Sequence, residues 1–341
     1  MPTLASLVHV APHRGEHWVA LRASLCVLIP LLVCALTNHR TWAVYASFGA
    51  FTALYGRFRG YRERLRMQLV VAGLLVAAVV TGTATALGPA PRWTWVAGAA
   101  VWAVLGGVAS DAERWHPPGA LFVVFAYAVC AQISPGVASL PASFAVSAAS
   151  ALFALALGAA GALLPWTAPH LDEGPAPGLR AALRRPGAGA SAVRLGGAAA
   201  LGGAVATGSG LGHASWATVA AVVPMAAPDT AGRLSRATHR TLGTAAGLVL
   251  AAGLLGLHPA LVPLVLLVAA LQALAELLVG RNYGIALVFI TPLALLVGQL
   301  GRPQSADVLL RDRGLETLLG IAAAIALTLL THDRRASDDE E

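Results

Sequence analysis

Hydrophobic residues in this chain come in long blocks, not in the alternations or stripes of a water-soluble fold. Apolar runs cover 18–36, 41–56, 67–88, 92–109, 119–134, 142–166, 193–211, 214–228, 241–257, 259–279, 283–300 and 314–331. An α-helix needs ~20 residues to cross the hydrocarbon core of a bilayer. The pattern therefore predicts an all-α membrane protein of about 12 transmembrane helices. The second and eighth runs are short and are expected to be shielded by neighbouring or tilted helices. The first run lacks a small-residue cleavage site and reads as an uncleaved first span.

Composition sharpens this reading. The 341 residues are 57% hydrophobic and 11% charged, against about 25% charged in soluble domains. All 23 basic residues are arginine. Without lysine there is no phosphate-binding G-x-x-x-x-G-K-[ST] loop and no Schiff-base amine. The net charge of +7 does not indicate nucleic acid, because the arginines are interleaved with apolar runs. Numbering the sides alternately puts most of them on one face, from Arg14 through the 57–66 cluster, Arg114, 180–194 and 233–240 to Arg335. The other face receives only Arg40, Arg92, Arg302, Arg311 and Arg313. The positive-inside rule then puts both termini in the cytoplasm. Alanine-rich, arginine-only usage suggests a GC-rich bacterial genome, and the chain is expected in a bacterial cytoplasmic membrane.

Residues 167–192 are rich in Pro, Gly and mixed charge and read as a cytoplasmic linker. At ~26 residues they cannot bury a core. The acidic tail 333–341 is expected to be disordered. On either side lie 1–166 and 193–332, and the two align. His39-Arg40-Thr41-Trp42 matches His213-Ala214-Ser215-Trp216 at an offset of 174, and Arg59, Arg62 and Arg66 match Arg233, Arg236 and Arg240. At an offset of 165, Asp111 matches Glu276. This predicts two parallel six-helix repeats related by an axis along the membrane normal, with the functional site between them.

Each arginine trio is spaced by three and then four, so its members share one helix face. The pattern predicts two cationic stripes facing a shared vestibule that attracts anions, although snorkelling at a helix end has the same spacing. Asp111 and Glu276 close apolar runs and are the proton-coupling candidates. Their alternative role is local pairing, with Arg114 and Arg281. The two H-x-[ST]-W motifs read as an interfacial belt. His9, His13 and His17 are spaced by four, but Pro12 spoils a helix between the first two, so no metal is expected. Gly208–Gly212 has no strand before it and is no phosphate loop. Cys26, Cys34 and Cys130 form no C-x-x-C pair. No nucleophile triad or acid pair is evident, so neither an enzyme nor a cofactor is expected.

The second half is more specific. Trp216-Ala-Thr218, Pro224 and Arg236-x-x-x-Arg240-x-x-Gly243-Thr244-x-x-Gly247 resemble the R-x-x-x-R-x-x-G-T-x-x-G signature of the fusaric acid resistance protein-like integral membrane family, which includes aromatic acid exporters. Arg281-x-Tyr283, then Phe289-x-Thr291-Pro292-Leu293, and Arg313-x-x-Glu316-Thr317-x-x-Gly320 resemble two further segments of that family, with glutamate for aspartate in the last. Over 1–166 the copy is degraded: Arg62 and Arg66 persist without the Gly-Thr step. The large soluble domain common between halves in the family has no counterpart here.

The resemblance implies proton-linked efflux of small organic anions, aromatic carboxylic acids above all. A distant similarity to plant malate channels makes a passive anion channel the alternative. A non-transporting envelope scaffold is a third reading. The implied partners are the lipid bilayer and a small organic anion, not nucleic acid; a homo-oligomer or an envelope adaptor stays open. The small signature residues also have a packing role, since they let helices approach closely in lipid.

Overall fold

The structure, a computed structural model, describes residues 10–12, 15–57, 59–89, 93–160 and 176–331. These form helices and loops, with no strand among the described residues. The tail 333–341, linker residues 167–175, His9, His13 and Arg92 lie outside the described residues.

The first half holds α1 (Glu16–Leu36), α2 (Ala43–Ala50), α3 (Tyr61–Leu87), α4 (Thr94–Glu113), α5 (Leu121–Cys130) and α6 (Leu140–Ala160). A short α7 (Gly178–Arg184) follows and packs on α4. The second half holds α8 (Ala188–Ser209), α9 (Ala214–Val222), α10 (Thr230–Gly256), α11 (Leu261–Val279), α12 (Tyr283–Gly301) and α13 (Ala306–Leu330).

Seven of these helices, α1, α3, α4, α6, α11, α12 and α13, are long and apolar enough to cross a membrane. The expected dozen runs do correspond to helical segments, but not all are spans by this measure. At 1.5 Å per residue, α2, α5 and α9 are too short. Long α8 is built largely of Gly and Ala, and α10 carries Arg233, Arg236 and Arg240 in its first three turns. Helices also begin earlier than the apolar runs do. α3 starts at Tyr61, α10 at Thr230 and α13 at Ala306, because their charged first turns are helical too. One consequence corrects the loop assignment made from hydropathy: Arg313 lies inside α13, not in a loop.

The short helices are discontinuous. α2 passes into a 3₁₀ turn at Phe51–Leu54, and α9 into another at Val223–Ala226, where Pro224 has no N–H to offer. Each turn ends in an extended residue, Tyr55 or Ala227. Irregular backbone at membrane depth is tolerated where protein buries it or a cavity borders it, and Thr52, Leu54, Val223 and Met225 are all buried.

Packing in the two halves runs in parallel. α1 packs on α2 as α8 does on α9, and α2 on α6 as α9 on α13. α3 contacts both α5 and α6, and α10 both α12 and α13. The halves also interlock: α1 packs on α11 of the second half, and α8 on α4 of the first. Glycine permits the tightest contacts. A Cβ on Gly49 would collide with the Ser147 carbonyl across α2–α6, and one on Gly320 with the Ala217 carbonyl across α9–α13.

Two helix starts that position the site are capped by side chains. The Asp229 carboxylate accepts the Gly232 N–H at 2.6 Å at the head of α10, and Asn282 Oδ1 accepts the Ile285 N–H at 3.0 Å at the head of α12.

Candidate functional site

A cavity of about 830 Å³ runs between the two halves. Its polar lining includes Arg57, Ser235, Arg236 and His239 toward the start of α12, and Thr41, Gln132, Ser134, Arg302 and Gln304 toward its end. α12 borders it along its whole length, through Tyr283, Leu287, Ile290, Ala294, Gly298 and Gly301. That spacing of three and four is one helix face. It extends ~27 Å at 1.5 Å per residue, close to the ~30 Å hydrocarbon core.

The middle of the cavity is aromatic. Phe48, Phe51, Phe122 and Phe125 line it, with Phe48 edge-on to Phe125 at 5.3 Å and Phe51 against Phe122 at 5.0 Å. Trp216 joins them from α9.

Against this wall stand two buried arginines, Arg240 from α10 and Arg313 from α13, each 3% exposed. Arg240 sits about ten residues into its helix and Arg313 about seven into one entered from the other end, so both lie away from the ends of their helices. Arg240 Nη1 donates to the Tyr283 hydroxyl at 3.0 Å. The Arg313 guanidinium lies 5.2 Å from the Trp216 ring centre, a cation–π distance. Neither forms an ion pair within 4 Å among the described residues, and the Nε of each is buried without a hydrogen-bond partner. A desolvated cation without a carboxylate partner is costly. An anion in the cavity would supply the missing charge and acceptors.

Arg57 and Glu276 form a different arrangement. The Arg57 guanidinium pairs with the Glu276 carboxylate and donates to the Glu276 backbone carbonyl at 3.1 Å. Gln272 Nε2 donates to the other carboxylate oxygen at 3.2 Å. This buried ion pair borders the cavity and joins the first half to α11 of the second.

Beside Arg313, α13 also presents Asp312 and Glu316 to the head of α9. The Gly212 N–H donates to Asp312 Oδ2 at 3.3 Å, and the His213 N–H to Glu316 Oε1 at 2.8 Å. His213 Nδ1 lies 3.2 Å from Asp312 Oδ2, and Arg311 reaches Asp312 Oδ1 at 3.0 Å. Ligand atoms of His213, Asp312 and Glu316 fall within 4.8 Å of one another. Three of the four carboxylate oxygens accept protein hydrogens, so the cluster caps the head of α9.

The residues singled out from sequence scatter around this cavity. Arg236 and Arg240 line it. Arg233 is buried and closes the preceding loop, donating to the Ala227 and Pro228 carbonyls at 3.3 and 3.1 Å. Its counterpart Arg59 does similar work, reaching Glu63 and the Arg114 carbonyl, each at 3.4 Å. Arg62 is exposed, and Arg66 is exposed and paired with Glu113 at 3.0 Å. The six arginines therefore do not form two facing stripes: the cavity receives its second-half pair, and the first-half trio lies outside it.

Asp111 is also outside, in a surface cleft at the α4–α7 contact, paired with Arg185 at 2.8 Å. Its partner is thus not Arg114, and that of Glu276 is not Arg281, whose Nε donates to the Ala11 carbonyl at 2.7 Å. The small signature residues pack: Gly243 abuts Gly284 and Leu287, Gly247 abuts Thr291, and Thr218, Thr317 and Pro292 are buried between helices. Sequence reasoning did not single out Arg57, Asp312 or Gln272. Only Asp312 carried a signal, an acid four residues before Glu316 on a helix face.

The family model that matches this chain falls on the same half as Arg240 and Arg313. Residues 198–327 match the family model described as fusaric acid resistance protein-like. The uncharacterized membrane protein YvaC of Bacillus subtilis (strain 168) is 35% identical over 88 residues, 26% of this chain. The chain covers 14% of the length of that relative. No solved structure matches the chain. The chain is a multi-pass membrane protein whose residues 198–327 are similar to the fusaric acid resistance protein-like family, and Arg236, Arg240, Tyr283 and Arg313 all fall within that match.

Proposed function

We propose that the chain is a proton-linked secondary transporter of small organic anions, aromatic carboxylates above all, moving them outward through the cavity between its halves. One observation carries this reading: Arg240 and Arg313 are buried, form no ion pair within 4 Å among the described residues and face a cavity about as long as a bilayer core is thick. A carboxylate between them accepts charge-assisted hydrogen bonds from both and from neither side loses its aromatic packing, because the phenylalanine wall lies alongside. Arg236, partly exposed toward the start of α12, concentrates anions there.

In this reading the two halves are copies of one six-helix unit, 1–166 and 193–332, that together cross the membrane twelve times. The parallel packing of α1–α6 and α8–α13 supports it. The arginine-rich end and both termini are cytoplasmic in a bacterial inner membrane, and a membrane potential negative inside then favours anion exit. The first half has kept the packing role of Arg59 while the anion contacts reside in the second.

The test is flux. Purified chain in liposomes is loaded with radiolabelled benzene-1,3-dicarboxylate, which does not cross lipid unaided. The expected result is release faster than from empty liposomes and at least tenfold slower for Arg240→Ala or Arg313→Ala. Release indifferent to any proton gradient assigns a passive channel instead. No release, with folding intact, removes the transport reading and leaves an envelope scaffold.

A further inference from the structure

The cavity contains a group that the anion contacts leave unused. His213 stands at the head of α9, lines the cavity and is partly accessible. Its Nδ1 lies 3.2 Å from the Asp312 carboxylate. An ionised carboxylate only accepts, so Nδ1 carries the hydrogen and Nε2 of the neutral ring is left with a lone pair. No described group pairs with Nε2. The ring is also held flat on Trp216, with centroids 4.4 Å apart and planes 11° from parallel, and Trp216 in turn carries Arg313 on its ring. Imidazole, indole and guanidinium thus form one stack beside the anion site.

The matching motif in the first half lacks this construction. His39 stacks on Trp42 at 4.0 Å, but it is exposed and its Nδ1 meets the Thr37 hydroxyl, not a carboxylate. Position alone therefore does not make the feature; the acids of α13 do.

Resting on the anion-transport reading, we propose that His213 is a proton-binding site that sets how tightly the cavity holds its anion. A proton from cavity water joins Nε2, neutral imidazole becomes imidazolium, and the same proton returns to water on release. The charged ring adds a positive charge to the Arg240–Arg313 site. Proton and anion then strengthen each other's binding by the same factor. The groups facing His213 are Arg311, Asp312, Arg313 and Glu316 of α13, with Arg240 of α10 and Arg302 beyond α12 bordering the same cavity.

The experiment measures binding of benzenesulfonate, whose own charge does not change with pH, to the detergent-solubilised chain between pH 5.5 and 8. The expected affinity rises about tenfold on acidification. His213→Gln removes that rise, Asp312→Asn shrinks it, and His39→Gln leaves it intact. A second readout needs no anion. Protonated imidazole quenches a stacked indole, so the difference in fluorescence between the wild type and Trp216→Phe falls on acidification, and does not fall in a His213→Gln background. A pH-independent affinity, or an unchanged rise in His213→Gln, overturns the proposal and leaves anion transport standing. Absence of binding at every pH, with the fluorescence titration present, removes the anion reading itself. Loss of the fluorescence titration on adding micromolar Zn²⁺ assigns the cluster to a metal and also overturns the proposal.

Discussion

Removing the Glu276 carboxylate should loosen the join between the halves more than any surface change. In Glu276→Ala the Arg57 guanidinium stays 9% exposed and keeps only the backbone carbonyl of residue 276 as a nearby acceptor. Gln272 loses its acceptor as well. Breaking a buried pair by deleting one partner costs about 3–5 kcal/mol. The retained carbonyl contact puts this case near the lower end. Glu276→Gln keeps an oxygen for Arg57 and should cost less, about 1–2 kcal/mol. Replacing both partners, Arg57→Met with Glu276→Leu, removes the stranded charge and should recover most of the loss, giving a coupling energy of about 2 kcal/mol or more. Reversible denaturant unfolding of the detergent-solubilised wild type, Arg57→Met, Glu276→Leu and the double variant, followed by tryptophan fluorescence, supplies the four corners of the cycle. Additivity of the single variants to within about 0.5 kcal/mol would refute the reasoning, because the two groups would then not be holding each other.

Packing and access give further expectations. Gly320→Ala must push α13 off the Ala217 carbonyl of α9 and should cost about 1–3 kcal/mol, read by the same unfolding assay. Gly253→Ala, in α10 with nothing within 4 Å of its added carbon, should be neutral or stabilising by up to about 1 kcal/mol; a loss as large as that at Gly320 would contradict the packing account. Cys26, Cys34 and Cys130 are buried, so maleimide should label them only after unfolding, and rapid labelling of the native protein would show the core to be open. Arg236→Ala should slow anion flux at low ionic strength and lose most of that effect at high salt, whereas a salt-independent defect would place Arg236 in direct contact with the anion.

Much of the fold is visible in the sequence because lipid imposes a coarse rule. Long apolar runs become helices, and the runs found by eye correspond to α1–α6 and α8–α13 with shifted ends. The ends shift because hydropathy drops at a charged turn even where the helix continues, as at Arg313 in α13. That same effect left Arg313 visible only within a family-like segment and not as half of the anion site. Arg240 was legible because Arg236 and Arg240 share a face at a spacing of four. Arg313 carries no such partner, and its relation to Arg240 depends on two helices entered from opposite ends. The partner of Glu276 is a further case: Arg57 lies 219 positions away, and only the interlocked packing of the halves brings them together. The first-half arginines misled for the opposite reason. Arg62 and Arg66 repeat the spacing of Arg236 and Arg240, yet α3 turns them outward to solvent and Glu113.

The central claim is an anion passage along α12, and cysteine accessibility tests it most directly. In a background with Cys26, Cys34 and Cys130 replaced by alanine, single cysteines replace Ile290, Ala294, Gly298 and Gly301 on the cavity face, with Val288 as the position off that face. A charged, membrane-impermeant thiol reagent should modify the four cavity positions, and benzene-1,3-dicarboxylate should protect them, while Val288→Cys stays unmodified. Cavity positions as unreactive as Val288→Cys would contradict the passage.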